Sequence, residues 1–136
     1  MIVIDTDIVS EMLREEPDRN VLAWADMAGP LHTTAVTLAE IEYGIARLPA
    51  GRRKDRLADT AAGVFADFGE VILAFDAPAA RRYAGIVTSR ERAGRPIAGA
   101  DAQIAAICAV RGATLATRNT GDFDATGISL VNPWSG

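Results

Sequence analysis

The sequence predicts an α/β sandwich built on a largely parallel five-stranded sheet. Two observations lead there. Short apolar, strand-like runs alternate along the whole chain with stretches whose apolar residues recur at helical spacing. Parallel neighbours require crossover connections, usually helices, so strict alternation favours a parallel sheet over hairpins. Turn and cap residues mark the junctions between these runs.

The elements follow in order. Ile2–Ile4 is the first strand, and Ile8–Arg14 reads as a helix. Pro17 suits the first turn of a second helix through Val21, Leu22, Trp24 and Ala25, because its missing N–H is not needed there. Gly29-Pro30 breaks the chain before a strand LHTTA. In VTLAEIEYGIARL, Leu38, Ile41, Ile45 and Leu48 recur at helical spacing. After the turn Pro49-Ala50-Gly51, residues 52–67 form another helix on Leu57, Val64 and Phe68. The third strand is VILAF, between Gly69 and Asp76; Asp76 caps a helix that runs from Pro78 to about Ala93 and stops at Gly94. ADAQIAAICAVRG is helical and closed by Gly112. ATLAT and ISLVN complete the sheet. No repeat or linker interrupts residues 1–136, so one domain is expected.

Composition narrows the function classes. The 136 residues are 49% hydrophobic and 24% charged, as in a folded soluble protein rather than a disordered one. No apolar run approaches the roughly 18 residues of a membrane span. No basic region precedes the apolar start, so a signal peptide is not expected. The single cysteine, Cys108, excludes a disulfide framework, fits a cytoplasmic setting, and reads as a small buried hydrophobe. The net charge of −4 is unevenly spread. Residues 47–56 hold Arg47, Arg52, Arg53, Lys54 and Arg56 against Asp55 alone; residues 81–95 hold Arg81, Arg82, Arg90, Arg92 and Arg95 against Glu91 alone. Such stretches are either solvated helix faces or grips for a polyanion beside an acidic centre.

The acids carry the chemistry. In folds of this class, sites lie at the carboxyl ends of the strands. Asp5 ends the first strand, and Glu40 lies in the opening turns of the helix after the second. Asp101 begins the helix before the fourth strand, and Asp122 lies in the loop after it. Each has a structural alternative: Asp5 or Asp7 can cap the first helix, Asp101 favours a helix N-terminus, Asp122 suits a turn, and Glu40 can face solvent. Capping does not explain why all four should share one edge. Clustered carboxylates repel, and a bound cation resolves the conflict; an all-oxygen set favours Mg²⁺ or Mn²⁺. Thr6, Thr117 and Asn119 lie near that edge and can orient the acids or a water, or serve as ordinary strand-end hydrogen bonders. Glu42 is about 200° around the helix from Glu40 and should point away. His32, inside a strand, and Trp134, in the tail, read as structural.

VIDTDIVSEML, TTAVTLAEIEYGIARL, IAGADAQIAAICAVRGATLATRN and GDFDATGISLVNPW resemble, in order, the segments of PIN-domain ribonucleases, most closely the VapC-type toxins and their FitB-like branch. The likeness spans nearly the whole chain. It implies a three-layer α/β/α fold and Mg²⁺- or Mn²⁺-dependent cleavage of RNA, leaving 5′-phosphate and 3′-hydroxyl ends. It places the catalytic and metal-binding quartet on Asp5, Glu40, Asp101 and Asp122, with Thr6 and Thr117 at accessory hydroxyl positions. Asp7 departs from the pattern, which often has asparagine there. The resemblance further implies a homodimer and a VapB-type antitoxin covering the site. Arg47, Arg52, Arg53 and Arg56 would then hold the RNA backbone. The antitoxin segment is expected to bring an arginine to the acidic edge and an apolar anchor to a groove beside residues 8–14 and 36–48.

Two rivals compete. DTDIV matches the D-x-D-x-V start of haloacid-dehalogenase-like phosphatases, with Asp5 as nucleophile and Asp7 as acid/base, but that chemistry wants a lysine near the site and only Lys54 is present. A response-regulator receiver fails for similar reasons: it wants an acidic pair, a later phosphorylated aspartate and a lysine after the fifth strand. A non-catalytic RNA- or protein-binding module is the other rival, disfavoured by the complete quartet.

Overall fold

The computed structural model describes residues 1–68 and 72–135. The elements are β1 (Ile2–Ile4), α1 (Thr6–Met12), α2 (Arg19–Met27), β2 (Leu31–Thr34), α3 (Ala35–Ala46), α4 (Arg52–Phe68), β3 (Ile72–Leu73), α5 (Ala77–Arg92), α6 (Gly99–Arg111), β4 (Thr114–Ala116) and β5 (Ser129–Val131), with a 3-10 turn at Thr120–Phe123. The strands lie in the order β3-β2-β1-β4-β5, and every pairing is parallel. The expected sheet is therefore present.

Alternation along the strands builds two cores. Val3, Leu73 and Leu115 point to one face and pack against Ile86 of α5 and Ile104 and Ile107 of α6. Ile4 and Ala116 point to the other, against Ile8 and Val9 of α1, Val21 of α2, Ile41 and Ile45 of α3 and Phe65 of α4. Helices thus cover both faces, giving three layers, and the strands are apolar on both sides as parallel strands require. Cys108 is fully buried in the first core. Burial, reinforced by the charge of Asp5, pushes its thiol up to about 12, so it is a packing residue rather than a nucleophile. Among the described residues, no helix is long and apolar enough to cross a membrane.

Strand order fixes where a site can form. From β1 the chain builds outward to β2 and β3, then returns to lay β4 and β5 on the other side. The crossovers diverge between β1 and β4, opening a crevice at their carboxyl ends. Asp5 follows β1 and Thr117 follows β4.

Several element ends differ from expectation. The first helix starts at Thr6 rather than Ile8, because the Asp5 carboxylate accepts from the Ile8 amide (3.2 Å) and caps it. Pro17 is not in the first turn of α2. Asp18 caps that helix, accepting from the Asn20 (2.8 Å) and Val21 (3.3 Å) amides, and buried Glu11 fixes the cap by accepting from the Asp18 amide (2.9 Å). The third strand covers only Ile72–Leu73 of the expected VILAF; Gly69 and Val71 lie outside the described residues. Phe75 leaves the sheet to meet Tyr83 edge-on, with ring centroids 6.0 Å apart. Asp76 caps α5 as expected, accepting from the Ala79 amide (3.1 Å), and Gly112 ends α6 in the left-handed region at φ 62°.

Candidate active site

Asp5, Glu40, Asp101 and Asp122 line one cavity of about 210 Å³ at the crevice between β1 and β4, together with Thr6, Asp7, Asn119, Ile104 and Phe123. Glu42 is exposed on α3 and absent from this lining. His32 pairs with Val3 in mid-sheet, half-buried, and does not reach the cavity.

Each acid is held by a different element. Asp5 is nearly fully buried, 5% exposed, at the head of α1. Burial pushes its carboxyl up to about 7, aided by the charge of Asp7 and opposed by hydrogen bonds from the Thr117 hydroxyl and the Ile8 amide. Asp101, in the first turn of α6, rises to about 6, through desolvation and then the charges of Asp122, Glu40 and Asp7, with Arg90 opposing. Asp122 is exposed on the 3-10 turn. Glu40 is exposed on α3 and takes a 2.6 Å hydrogen bond from the Thr6 hydroxyl.

Behind Glu40 lies a threonine relay. Thr6 Oγ1 is 3.2 Å from Thr37 Oγ1, which is 3.4 Å from Thr34 Oγ1; Thr34 Oγ1 also accepts from the Thr37 amide (3.1 Å). Thr34 and Thr37 are fully buried. Thr6 has one hydroxyl hydrogen, and the shorter contact, to Glu40, takes it. Thr37 therefore donates to Thr6, and Thr34 to Thr37, which polarises the relay toward the carboxylate. The sequence singled out Thr6 but not Thr34 or Thr37, whose only visible signal was strand propensity and a cap position.

Asn119 donates through Nδ2 to Asp7, and its own amide donates to Thr117 Oγ1 (3.1 Å). The three accessory residues thus surround the site in distinct ways: Thr6 orients Glu40, Thr117 supports Asp5 and the Asn119 backbone, and Asn119 holds Asp7. The lysine that the phosphatase reading wants is not at the cavity. Lys54 Nζ donates to the Ala46 (3.0 Å) and Leu48 (3.3 Å) carbonyls, closing the C-terminal end of α3.

The donor set is all oxygen and suits a hard divalent cation, and two of its carboxyls are shifted upward by burial first and by neighbouring acids second. Among the described residues, the side chains as placed do not close on one point: no group of three His, Cys, Asp or Glu is arranged to hold a metal ion. Local partners explain the spread. Asp5 is drawn to the Ile8 amide, Glu40 to Thr6 and Asp7 to Asn119.

The basic stretches divide. Arg53 and Arg56 line a larger groove of about 680 Å³ that runs from Thr6 and Glu40 between α1 and α3, with Leu13, Ile41, Gly44, Ile45, Leu48 and Leu57 along it. Arg56 Nε lies 3.6 Å from Glu15. Arg47 stacks on Tyr43, 5.5 Å from the ring centroid, and Arg52 is exposed. In residues 81–95, Arg90 is neither a solvated face nor a polyanion grip. It is 4% exposed, and donates to the carbonyls of Arg95 (2.6 Å), Asp122 (2.8 Å) and Asp124 (2.7 Å). It anchors the turn that carries Asp122. Arg95 continues the clamp with an ion pair to Asp124 (2.8 Å).

Fold and site together define a protein with an acid-lined crevice at the switch point of a parallel sheet. Residues 2–128 match the PIN domain family. The chain is 40% identical to the VapC ribonuclease Y4jK of Sinorhizobium fredii, with 98% of each chain covered. It is 38% identical to Toxin FitB of Neisseria gonorrhoeae, covering 98% of this chain and 99% of that one. The structure of FitAB bound to an IR36 DNA fragment superposes with a TM-score of 0.91 at 38% identity, over 98% of this chain and 96% of that one. The chain belongs to the PIN domain family, in its VapC- and FitB-like branch.

Proposed function

We propose that this chain is a Mg²⁺- or Mn²⁺-dependent endoribonuclease and the toxic half of a type II toxin–antitoxin pair, acting in the cytoplasm as a homodimer. The observation that carries the reading is the convergence of Asp5, Glu40, Asp101 and Asp122 on one cavity, in a chain similar throughout to a VapC ribonuclease and to Toxin FitB. Asp5, Glu40 and Asp101 would hold the cation, with Asp122 placing a second ion or the attacking water. When bound, such a cation lowers the pKa of water and neutralises charge developing on a phosphodiester.

The chain's own residues supply the rest. The Thr6 hydroxyl donates to Glu40 and holds it at the cavity. Asn119 holds the additional acid, Asp7, at the rim of the cavity, where its charge still acts on Asp5. Arg90 fixes the backbone of the Asp122 turn. The partner antitoxin is assigned to the groove between α1 and α3, whose apolar floor suits a protein segment and whose upper end opens at Glu40. An arginine there would compete with the cation for the carboxylates.

The test is direct. Purified protein is incubated with total cellular RNA and Mn²⁺, with and without EDTA, and the RNA ends are sequenced. New 5′-phosphate ends that vanish with EDTA and in an Asp5→Asn variant are expected. A folded protein that cuts RNA equally well in EDTA refutes the metal-dependent mechanism, and one that cuts none under any condition refutes the nuclease reading.

A further inference from the structure

Beside α1 lies a second, polar cleft of about 540 Å³, lined by Asp7, Ser10, Glu11, Arg14, Arg118, Asn119 and Trp134, which meets the larger groove at Ser10 and Arg14. It shares Asp7 and Asn119 with the acid cavity, so the two are contiguous. We propose that this cleft seats one nucleotide of the RNA strand beside the phosphodiester held at the acid cavity, with Arg118, stacked on Trp134, as its phosphate ligand.

The wall is built, not incidental. The Arg118 guanidinium lies over the Trp134 ring, 5.0 Å from its centroid. The Asn132 side chain staples the two together: its Nδ2 donates to the Arg118 carbonyl (3.4 Å) and its Oδ1 accepts from the Trp134 amide (2.9 Å). Asn20 of α2 ties down the Trp134 carbonyl from the other side (3.3 Å). Trp134 is half-buried against the second core, so it is a fixed floor. Stacking restricts the guanidinium to a plane and leaves its N–H edge free to donate.

Charge on the cleft also favours an anion at Arg118. Arg14 already binds both oxygens of buried Glu11 (3.0 and 3.3 Å), and Asp7 is engaged by Asn119. Among the described residues, Arg118 is paired with no carboxylate. The outer face of a stacked guanidinium can carry a base, as single-stranded RNA recognition commonly uses. The volume lies in the range of about 300–1,000 Å³ typical of small-ligand sites. A protein segment is the poorer occupant: the leucines and isoleucines that would anchor it line the adjoining groove and none lines this cleft.

This inference rests on the nuclease reading, and the experiment separates the two. In the full chain carrying Asp101→Asn to prevent cutting, binding of a fluorescein-labelled random-sequence 12-mer RNA is followed by anisotropy across a salt series. Arg118→Ala is expected to weaken binding about five- to tenfold and to lower the salt slope by about 0.7. Arg118→Lys is expected to restore the slope but not the full affinity, because the stack is lost. Since Trp134 also packs in the core, the surface variants at Arg118 decide the matter. Unchanged affinity and slope in Arg118→Ala overturn the proposal. So does a loss confined to binding of the partner protein, with RNA affinity intact. Separately, an otherwise unaltered chain that leaves total RNA uncut with Mn²⁺ refutes the nuclease reading, while an Arg118-dependent slope there would still support the cleft.

Discussion

Arg90 of α5 reaches across to the loop after β4 and donates through one nitrogen, Nη1, to the carbonyls of both Asp122 (2.8 Å) and Asp124 (2.7 Å). A buried guanidinium thus fixes the backbone of an exposed acid. Its charge is offset by carbonyl dipoles and by the acidic edge rather than by one carboxylate partner. Replacing Arg90 with alanine removes hydrogen bonds to three carbonyls together with a buried side chain and should destabilise the fold by about 2–4 kcal/mol. Arg90→Lys, which cannot span the same acceptors, should fall between. Urea unfolding measures the loss, and cleavage should fall further than stability alone requires because Asp122 is displaced.

Asp101→Asn and Asp5→Asn should each abolish RNA cleavage while leaving the metal-free protein at least as stable as the parent. Both carboxyls are pushed upward by burial and by neighbouring acids, so removing either charge relieves repulsion. Glu42→Gln, on the exposed side of α3, should change activity little. Cleavage assays beside thermal melts in EDTA check the pair of signs, and full activity in a folded Asp101→Asn protein would remove that residue from the site.

The same carboxyls predict a pH dependence with a definite sign. Asp5 titrates near 7 and Asp101 near 6 in the fold, against 3.8 in the unfolded chain. Between about pH 4 and 7 the native state therefore binds more protons than the unfolded state, and raising the pH withdraws stability. The contribution is full below the unfolded value and gone above the folded one. Melting of the metal-free protein should decline across this window more steeply than that of Asp5→Asn. Mg²⁺ should flatten the decline by binding the ionised carboxylates. Parallel curves for parent and variant would contradict the buried-acid account.

Legibility from sequence followed the physics of each residue. Asp5, Glu40, Asp101 and Asp122 were readable because strand ends and helix starts share an edge in a parallel sheet, and the cavity they line follows from that topology. Arg90 was not readable. One arginine among five in a basic stretch looks like solvated surface, and its burial depends on where α5 meets the turn at 121–124. The displaced start of α2 has a similar origin, since Glu11 reaches seven residues ahead to fix the Asp18 cap. Asn132 carries no sequence signal beyond that of an ordinary tail residue, yet it is the asparagine that joins Trp134 to Arg118.

The arginines of residues 47–56 should separate by position. Arg53 and Arg56 line the groove that begins at Thr6 and Glu40, whereas Arg47 is stacked on Tyr43. If the RNA backbone runs over this end, neutralising Arg53 and Arg56 should lower the salt slope of RNA binding by about 0.7 for each phosphate no longer neutralised. A slope that does not move after all of Arg47, Arg52, Arg53 and Arg56 are replaced would assign the stretch to the protein partner or to solvent.

Gly44 offers the sharpest test of partner control. It lies one helical turn beyond Glu40 on α3 and lines the groove assigned to the antitoxin segment. A Cβ built at this position meets nothing within 4 Å, so the helix itself accepts a side chain there. Gly44→Ala should stabilise the protein by up to about 1 kcal/mol, the helix-propensity gain. A larger residue, as in Gly44→Leu, should keep the fold and the cleavage activity but fill the groove, so that the partner no longer seats. Expression of the parent chain alone should arrest growth, and co-expression with the neighbouring gene product should relieve it. Gly44→Leu should arrest growth in both cases, and Asp101→Asn in neither. Relief of the Gly44→Leu arrest by the partner, with unweakened binding in pull-down, would place the inhibitory segment elsewhere on the surface.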